Sequence, residues 1–387
     1  MAITKTPGVY FDETVTINTT GDGSKIPVFI GKTGNTGTST YKVDGTVIHK
    51  YKNYTEASQP ITDGGIGTDT TTNPLLQVLE DFFEEAEPVA VEDIGVSHIY
   101  VIDVGNGTSY DAWETALTTA KTAQDAYIEA YIGLENITDE NKTLTNILSK
   151  ASRIFDAQAV NLELKNGFYT KLNATDTELI TLSNQNKFHR IHLLEPYKVG
   201  KSIARICVTP YNIEVGFLPY RSVDPGEFIQ RSRADELLLQ NSAVIFNHDE
   251  YTTSTIYPKM NLCMSSQYTP DDTRPADSLF HARYNADTLL RQIFDACYPQ
   301  VKANETSVKL AYIQSQVDAK VDAAIERGDM IGFDADLNPK GTRLQVYESE
   351  SEPYFLEVRG NIQPVNSTIA INVKANISAP IAVVGGL

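Results

Sequence analysis

Residues 99–104 read Ile-Tyr-Val-Ile-Asp-Val, and this run decides how the middle of the chain folds. It is short, rich in β-branched and aromatic residues, and apolar almost throughout, as a strand buried on both faces must be. Just downstream, Ser109 or Asp111 can cap a helix that carries Trp113, Leu117 and Ala120. A second strand follows at 127–134. A helix over 141–158 places Leu144, Ile147, Leu148, Ala151 and Ile154 at helical spacing. A third helix is expected at 175–184 and another strand at 190–194. Strands alternating with helices form a mostly parallel sheet covered on both faces, so the middle of the chain is expected to be α/β.

Working outward, Ile26-Pro27-Val28-Phe29-Ile30 reads as a short buried strand closed by Gly31. Residues 32–73 read as loops and hairpins. Residues 74–87 form an amphipathic helix with Pro74 in its first turn and Leu75, Leu76, Leu79, Phe82 and Phe83 on one face. Residues 202–265 read as strands and turns with one short helix near 234–240. From Ser278 the character changes. A helix at 285–298 is stopped by Pro299, and Thr306 caps a long helix over 307–327. That helix is expected to turn Val308, Ala311, Tyr312, Val317, Val321, Ala324 and Ile325 inward, and Gly328 is a natural stop. Two strands follow, so the C-terminal region is expected to be a separate α+β unit.

Both ends of the chain are strand-like. From 354 to 378 apolar and polar residues alternate, with Leu356, Val358, Gly360 and Ile362 followed by Ile369, Ile371, Val373, Ala375 and Ile377. Period two marks a strand with one buried face. Residues 1–17, rich in Thr and Val, also read as extended. The expected layout is an N-terminal arm at 1–22, an α/β domain at 23–265, a C-terminal domain at 266–365 and a C-terminal strand arm at 366–387. Extended β-strand arms at both termini suit a protein that lends strands to its neighbours.

The 387 residues allow two or three domains, and 41% hydrophobic with 21% charged residues is ordinary for a soluble globular protein. A net charge of -18 argues against nucleic-acid binding and makes like copies repel. Self-assembly therefore calls for local basic patches. Lys187, His189 and Arg190, then Lys198, Lys201 and Arg205, then Arg231 with Arg233, are the candidates; each alone reads as a solvated face. Cys207, Cys263 and Cys297 have no disulfide or zinc spacing and read as buried free thiols. No signal peptide or membrane-spanning run is legible, so a cytoplasmic protein is expected.

Few motifs carry chemistry. Gly31-Lys32-Thr33 follows a strand, but Ile26 and Pro27 stand where a phosphate-binding loop needs glycine and a free amide. Residues 64–69 fit one calcium nonapeptide, a motif that works in tandem, so a flexible loop is expected. His189 and His192 are three apart in a strand and point to opposite faces. His281 and Arg283 precede a helix and read as structural or interface residues. Asp271, Asp272 and Asp277 cluster in a loop. No catalytic, cofactor-binding or metal-binding residue is assigned, and no cofactor is expected.

Pro7-Gly8-Val9-Tyr10 with Asp12-Glu13 resembles the opening of contractile phage tail sheath proteins. Residues 26–31 (IPVFIG) resemble the strand that follows it. Arg283, the helix reaching Tyr298, Pro299, the long helix and Gly328-Asp329-Met330-Ile331-Gly332-Phe333 resemble the C-terminal domain of that family. The chain departs from the pattern at Ala286-Asp287, where a second arginine is usual, and near 215–221. The resemblance implies a divergent sheath subunit and no enzyme. Such subunits form stacked rings of six around an inner tube and join by β-strand exchange. It implies inter-subunit arms through Val9, Tyr10, Phe11, Val15, Ile17, Ile369, Ile371, Val373, Ala375 and Ile377. Lys309 and Lys320 are candidate tube-facing residues. The implied partners are further copies of the chain, a tail tube protein, and baseplate and tail terminator proteins, without nucleic acid or membrane insertion. The implied location is a virion tail assembled in the host cytoplasm. The alternatives are an α/β enzyme without a recognisable motif and a surface structural or adhesin protein.

Overall fold

A computed structural model describes residues 25–38, 41–87, 95–139, 142–159, 164–186, 188, 190–194, 196, 199–209, 246–248, 256–258, 280–297, 307–348 and 356–364. Both expected arms, the helix near 234–240, Cys263, Arg231, Arg233 and Asp271, Asp272 and Asp277 lie outside these residues.

The apolar runs become the centre of one sheet. Strand β1 (Ile26–Gly31) is buried along its whole length. Beyond a short antiparallel edge strand, β2 (His49–Tyr51), it pairs in parallel with β3 (Ile99–Asp103) on one side and β4 (Ala126–Ile132) on the other. Strands β5 (Asn166–Tyr169) and β6 (Ile191–Leu193) extend the parallel run, giving the order β2-β3-β1-β4-β5-β6. Without the edge strand this is the 2-1-3-4-5 order of a doubly wound sheet. The α/β expectation for the middle holds, and the sheet is mostly parallel.

The two faces follow the period of two. After a one-turn helix α1 (Tyr54–Ala57), helix α2 (Pro74–Glu85) covers the face carrying Phe29 and Val101. Helices α3 (Tyr110–Ala120), α4 (Leu144–Ala159) and α5 (Asp176–Gln185) cover the face carrying Val28, Ile30 and Ile102. Local chemistry sets their starts. Asn73 accepts from the amide of Leu76 with Pro74 at the first helical position. Ser109, rather than Asp111, caps α3, and Thr175 forms a reciprocal capping box with Glu178. Phe82 meets Phe29 edge-on with ring centres 5.2 Å apart, a geometry aromatic quadrupoles favour.

The structure corrects the reading in several places. Residues 202–208 are not strands: helix α6 (Val199–Val208) runs through them and lies beside α2 on the same face. Its β-branched residues suggested a strand, yet Val199, Ile203 and Ile206 share a helical face, and tertiary packing overrides the local preference. Gly200 permits the approach, because a methyl group there would overlap the carbonyl of Val78. Strand β5 has no counterpart in the sequence reading; Asn166 and Gly167 broke the apolar pattern. The loop at 64–69 is packed: Ile66 is fully buried, and its carbonyl accepts from both Asn35 and Asn73.

Beyond a two-stranded ribbon of β7 (Phe246–His248) and β8 (Ile256–Pro258) comes the C-terminal region. It holds α7 (Phe280–Cys297), α8 (Ser307–Glu326) and an antiparallel hairpin of β9 (Arg343–Glu348) and β10 (Leu356–Asn361). His281 and Arg283 lie within α7, not before it. Leu289, Ile293, Val317, Val321, Ala324, Met330 and Leu344 form its small core. Tyr312 is exposed and Ile313 takes the inward position; Ala311 also faces out. Gly328, at φ 82°, ends α8 in the left-handed conformation expected of it. Tyr284 of α7 joins the core of the α/β body.

Candidate interaction surface

In a doubly wound sheet the crevice at the carboxyl ends of the strands, where the order reverses, is where ligands bind. Here that crevice lies beyond β1, β3 and β4, and the chain fills it with its own groups. The Thr33 and Gly34 amides donate to the Gly105 carbonyl, and the Lys32 amide donates to that of Ile132. The Lys32 ammonium donates to Asn136 at 3.1 Å. Buried Asp103 collects the Thr33 hydroxyl (2.7 and 2.8 Å to its two oxygens), Asn35 (3.2 Å), the Tyr41 hydroxyl (3.0 Å) and the Gly105 amide (2.7 Å). The motif at 31–33 is therefore a strand-end lock, with its amides spent on backbone carbonyls.

Burial pushes the Asp103 carboxyl above its ordinary range, against the pull of those donors. In the window between the ordinary and the raised value the folded chain binds more protons than the unfolded chain. Stability therefore falls as pH rises through that window. Glu129, Glu135 and Asp329 are raised by burial in the same sense, so the informative quantity is a difference. Asp103→Asn is expected to have a shallower decline than wild type in urea unfolding between about pH 4 and pH 7. An identical slope would show that Asp103 does not titrate abnormally.

The described cations of two basic patches, Arg190, Lys201 and Arg205, turn inward. Arg190, 1% exposed, makes a two-pronged contact with fully buried Asp287, Nη1 to Oδ2 at 2.7 Å and Nη2 to Oδ1 at 3.1 Å. The Tyr127 hydroxyl donates to the same carboxylate at 3.2 Å. Arg291 lies over the Tyr127 ring and donates to the Leu164 carbonyl at 3.2 Å. Lys201 pairs with Glu84 at 3.0 Å, and Arg205 sits 3.6 Å from buried Glu85, both ties between α6 and α2. These cations are neither solvated faces nor assembly patches. His192 is buried against Phe168. Lys187, His189 and Lys198 lie outside the described residues. The departure at Asp287 now has a structural role, as the counter-ion of Arg190.

The outward surface of the C-terminal unit is different. Among the described residues, every exposed large apolar side chain lies there: Phe294, Tyr312, Ile331, Phe333, Leu337, Tyr347 and Val358. Arg343 lies over Phe333 (4.9 Å) and Arg359 over Tyr347 (5.9 Å), so guanidinium groups cover aromatic faces at the sheet. The alternation at 356–362 predicted a buried face, yet Val358 is 41% exposed although it sits opposite half-buried Val346. Among the described residues nothing covers it. Apolar patches of this kind mark contact sites.

The other site residues distribute as follows. Lys320 is half-buried on α8, and Lys309 lies in the first turn of that helix. Val9, Tyr10, Phe11, Val15, Ile17, Ile369, Ile371, Val373, Ala375 and Ile377 lie outside the described residues. Cys207 is buried and Cys297 half-buried, both as free thiols. Among the described residues no three His, Cys, Asp or Glu side chains gather into a metal-binding group, and no helix is long and apolar enough to cross a membrane. Sequence reasoning missed Asp287, because nothing local marks a helix carboxylate as the partner of an arginine 97 residues earlier.

No protein-family model matches the chain, and no curated protein matches it in sequence. Solved structures do match. The helical sheath of the anti-feeding prophage in its contracted state superimposes with a TM-score of 0.61 at 11% identity, over 92% of this chain and 94% of that one. The sheath complex of an extracellular contractile injection system, also contracted, gives 0.63 at 8% identity, over 92% of each chain. A sheath tail protein from Listeria innocua gives 0.57 at 11% identity, over 91% of this chain and 96% of that one. At these identities the likeness is one of fold, and it runs through nearly the whole of each chain.

Proposed function

We propose that this chain, which has the fold of contractile sheath proteins, is the sheath subunit of a contractile tail or injection particle. The observation that carries the reading is the extent of the likeness: fold agreement with helical sheaths covers about nine-tenths of both partners, including the C-terminal unit. The concentration of exposed apolar side chains on that unit supports it. The subunits stack as rings of six around an inner tube. Their α/β part, 23–265, faces outward and 266–365 faces the tube through α8, with Lys309 and Lys320 toward it. The arms at 1–22 and 366–387 add strands to neighbours, an open heterologous contact that generates a filament. Rearrangement of the stacked rings shortens the sheath and drives the tube through a membrane. Baseplate and terminator proteins close the two ends of a tail assembled in the host cytoplasm. The polar groups of the strand-end crevice are committed to one another, which suits a structural role over catalysis.

Negative-stain microscopy of the purified chain tests this reading. Hollow striated tubes are the expected result; a persistent monomer at every concentration and ionic strength would overturn it.

A further inference from the structure

Lys32 leaves the end of β1 through a slot between two glycines. A methyl group on Gly133 (φ 91°) would stand 2.9 Å from the Lys32 Cβ, and one on Gly107 (φ 73°) 3.2 Å from it. The stem is confined between two backbone turns, and its ammonium ends on the Asn136 side chain, Nζ to Oδ1 at 3.1 Å. That amide is itself held, because its Nδ2 donates to the Gly133 carbonyl at 3.0 Å. The preceding residue, Glu135, accepts the Leu172 amide on Oε1 at 3.2 Å. Its Oε2 is buried and has no hydrogen-bond partner among the described residues. Burial raises the Glu135 carboxyl above its ordinary range, against backbone hydrogen bonds and the charges of Lys32 and Lys171. Lys171 is paired with Glu178. An amine, an oriented amide carbonyl and a carboxyl that can carry a proton are the parts an amide exchange needs.

We propose that Lys32 and Asn136 join in an intramolecular isopeptide bond, with Glu135 as the proton carrier. Glu135 takes a proton from the Lys32 ammonium, and the freed amine attacks Asn136 Cγ. The Nζ–Cγ bond forms as the carbonyl electrons move onto Oδ1. Nδ2 then takes the proton that Glu135 holds, and the Cγ–Nδ2 bond breaks with its electrons on nitrogen as Oδ1 re-forms the carbonyl. The surplus proton on Nζ goes to the departing ammonia, which leaves as ammonium. Glu135 ends as it began, no oxidant or co-reactant is consumed, and dilution of the ammonia drives the exchange forward. The bond ties the segment leaving β1 to the segment leaving β4, its parallel neighbour, and closes the switch-point crevice covalently. On the sheath reading, load from the arm at 1–22 enters β1 at its first residue, and the cross-link anchors its last. Only this mechanical consequence rests on that reading.

The test is mass spectrometry of the purified full-length chain, intact and after trypsin, with Lys32→Arg, Asn136→Ala and Glu135→Gln alongside. The wild-type chain is expected to be lighter than its sequence by about 17 Da, the mass of one ammonia. Trypsin is expected to spare the bond after Lys32 and to release residues 26–42 joined to residues 122–142 as one branched peptide. Lys32→Arg and Asn136→Ala are expected to keep the full mass of their sequences and to give no branched peptide. Glu135→Gln, which keeps the side-chain shape and leaves Lys32 and Asn136 in place, is expected to remain unlinked as well. A wild-type chain at full sequence mass would overturn the proposal. The same deficit without the branched peptide would place the ammonia loss at an asparagine by itself and overturn it equally. A complete cross-link in Glu135→Gln would overturn the assignment of the proton to Glu135. None of these results bears on the sheath reading, and a cross-linked chain that forms no tubes removes that reading alone.

Discussion

Asp287→Ala is expected to lower the free energy of unfolding by about 3–5 kcal/mol, the usual cost of stranding one member of a buried ion pair. Arg190 is 1% exposed and has its guanidinium on Asp287 through two short bonds. Without the carboxylate, a charge stays buried with, among the described residues, the Lys165 carbonyl at 3.4 Å in reach of Nη1, and the Tyr127 hydroxyl loses its Asp287 acceptor. Urea unfolding of the full-length chain measures the effect. Asp287→Ala combined with Arg190→Met is expected to recover part of the loss, because removing both charges is far less costly than removing one. Asp287→Arg is expected to be worse than alanine, since it sets two cations against each other. A variant with an unshifted midpoint would show that the pair is hydrated in solution. The location of the loss matters as much as its size. Asp287 is on α7 and Arg190 lies just before β6, so this pair ties the C-terminal unit to the sheet.

Ile371→Asp with Val373→Asp is expected to abolish tube formation and leave the unfolding transition of the monomer unchanged. On the proposed strand exchange both side chains pack between subunits, and each aspartate would be buried there without a partner. That penalty is several kcal/mol per group, and it recurs at every subunit of the helix. Sedimentation and negative-stain microscopy read assembly; a urea melt reads the monomer. Deleting residues 1–17 or 366–387 is expected to give the same result, a folded chain that does not polymerise. Wild-type tubes from the double aspartate variant would show that this face is not buried between subunits.

How far the sequence reached depended on whether the deciding contacts were local. Residues 26–31 and 99–104 were legible as central strands because a strand buried on both faces must be apolar throughout. The starts of α2 and α3 were legible because Pro74 suits a first helical turn and Ser109, one of two candidate caps, satisfies a helix amide three residues on. Helix α6 was misread because its helical state is set by contact with α2, through Gly200 and the ion pairs of Lys201 and Arg205. Strand β5 was missed because its place between β4 and β6 comes from pairing, not composition.

The same division applies to the interaction surface. Alternation at 356–362 identified a strand with an apolar side, and the order of elements in the C-terminal region pointed to an α+β unit. By itself the sequence determined the α/β rhythm, the Pro74 start of α2, the Gly328 stop and the strand character of 356–361, all of which rest on neighbours a few residues apart. Only the tertiary structure decided that Arg190, Lys201 and Arg205 are internal, that Val358 is exposed, and that Lys32 ends on Asn136. Each of these depends on groups brought together from distant parts of the chain, and the energy of a buried charge or an exposed apolar side chain is set by the surroundings that folding provides.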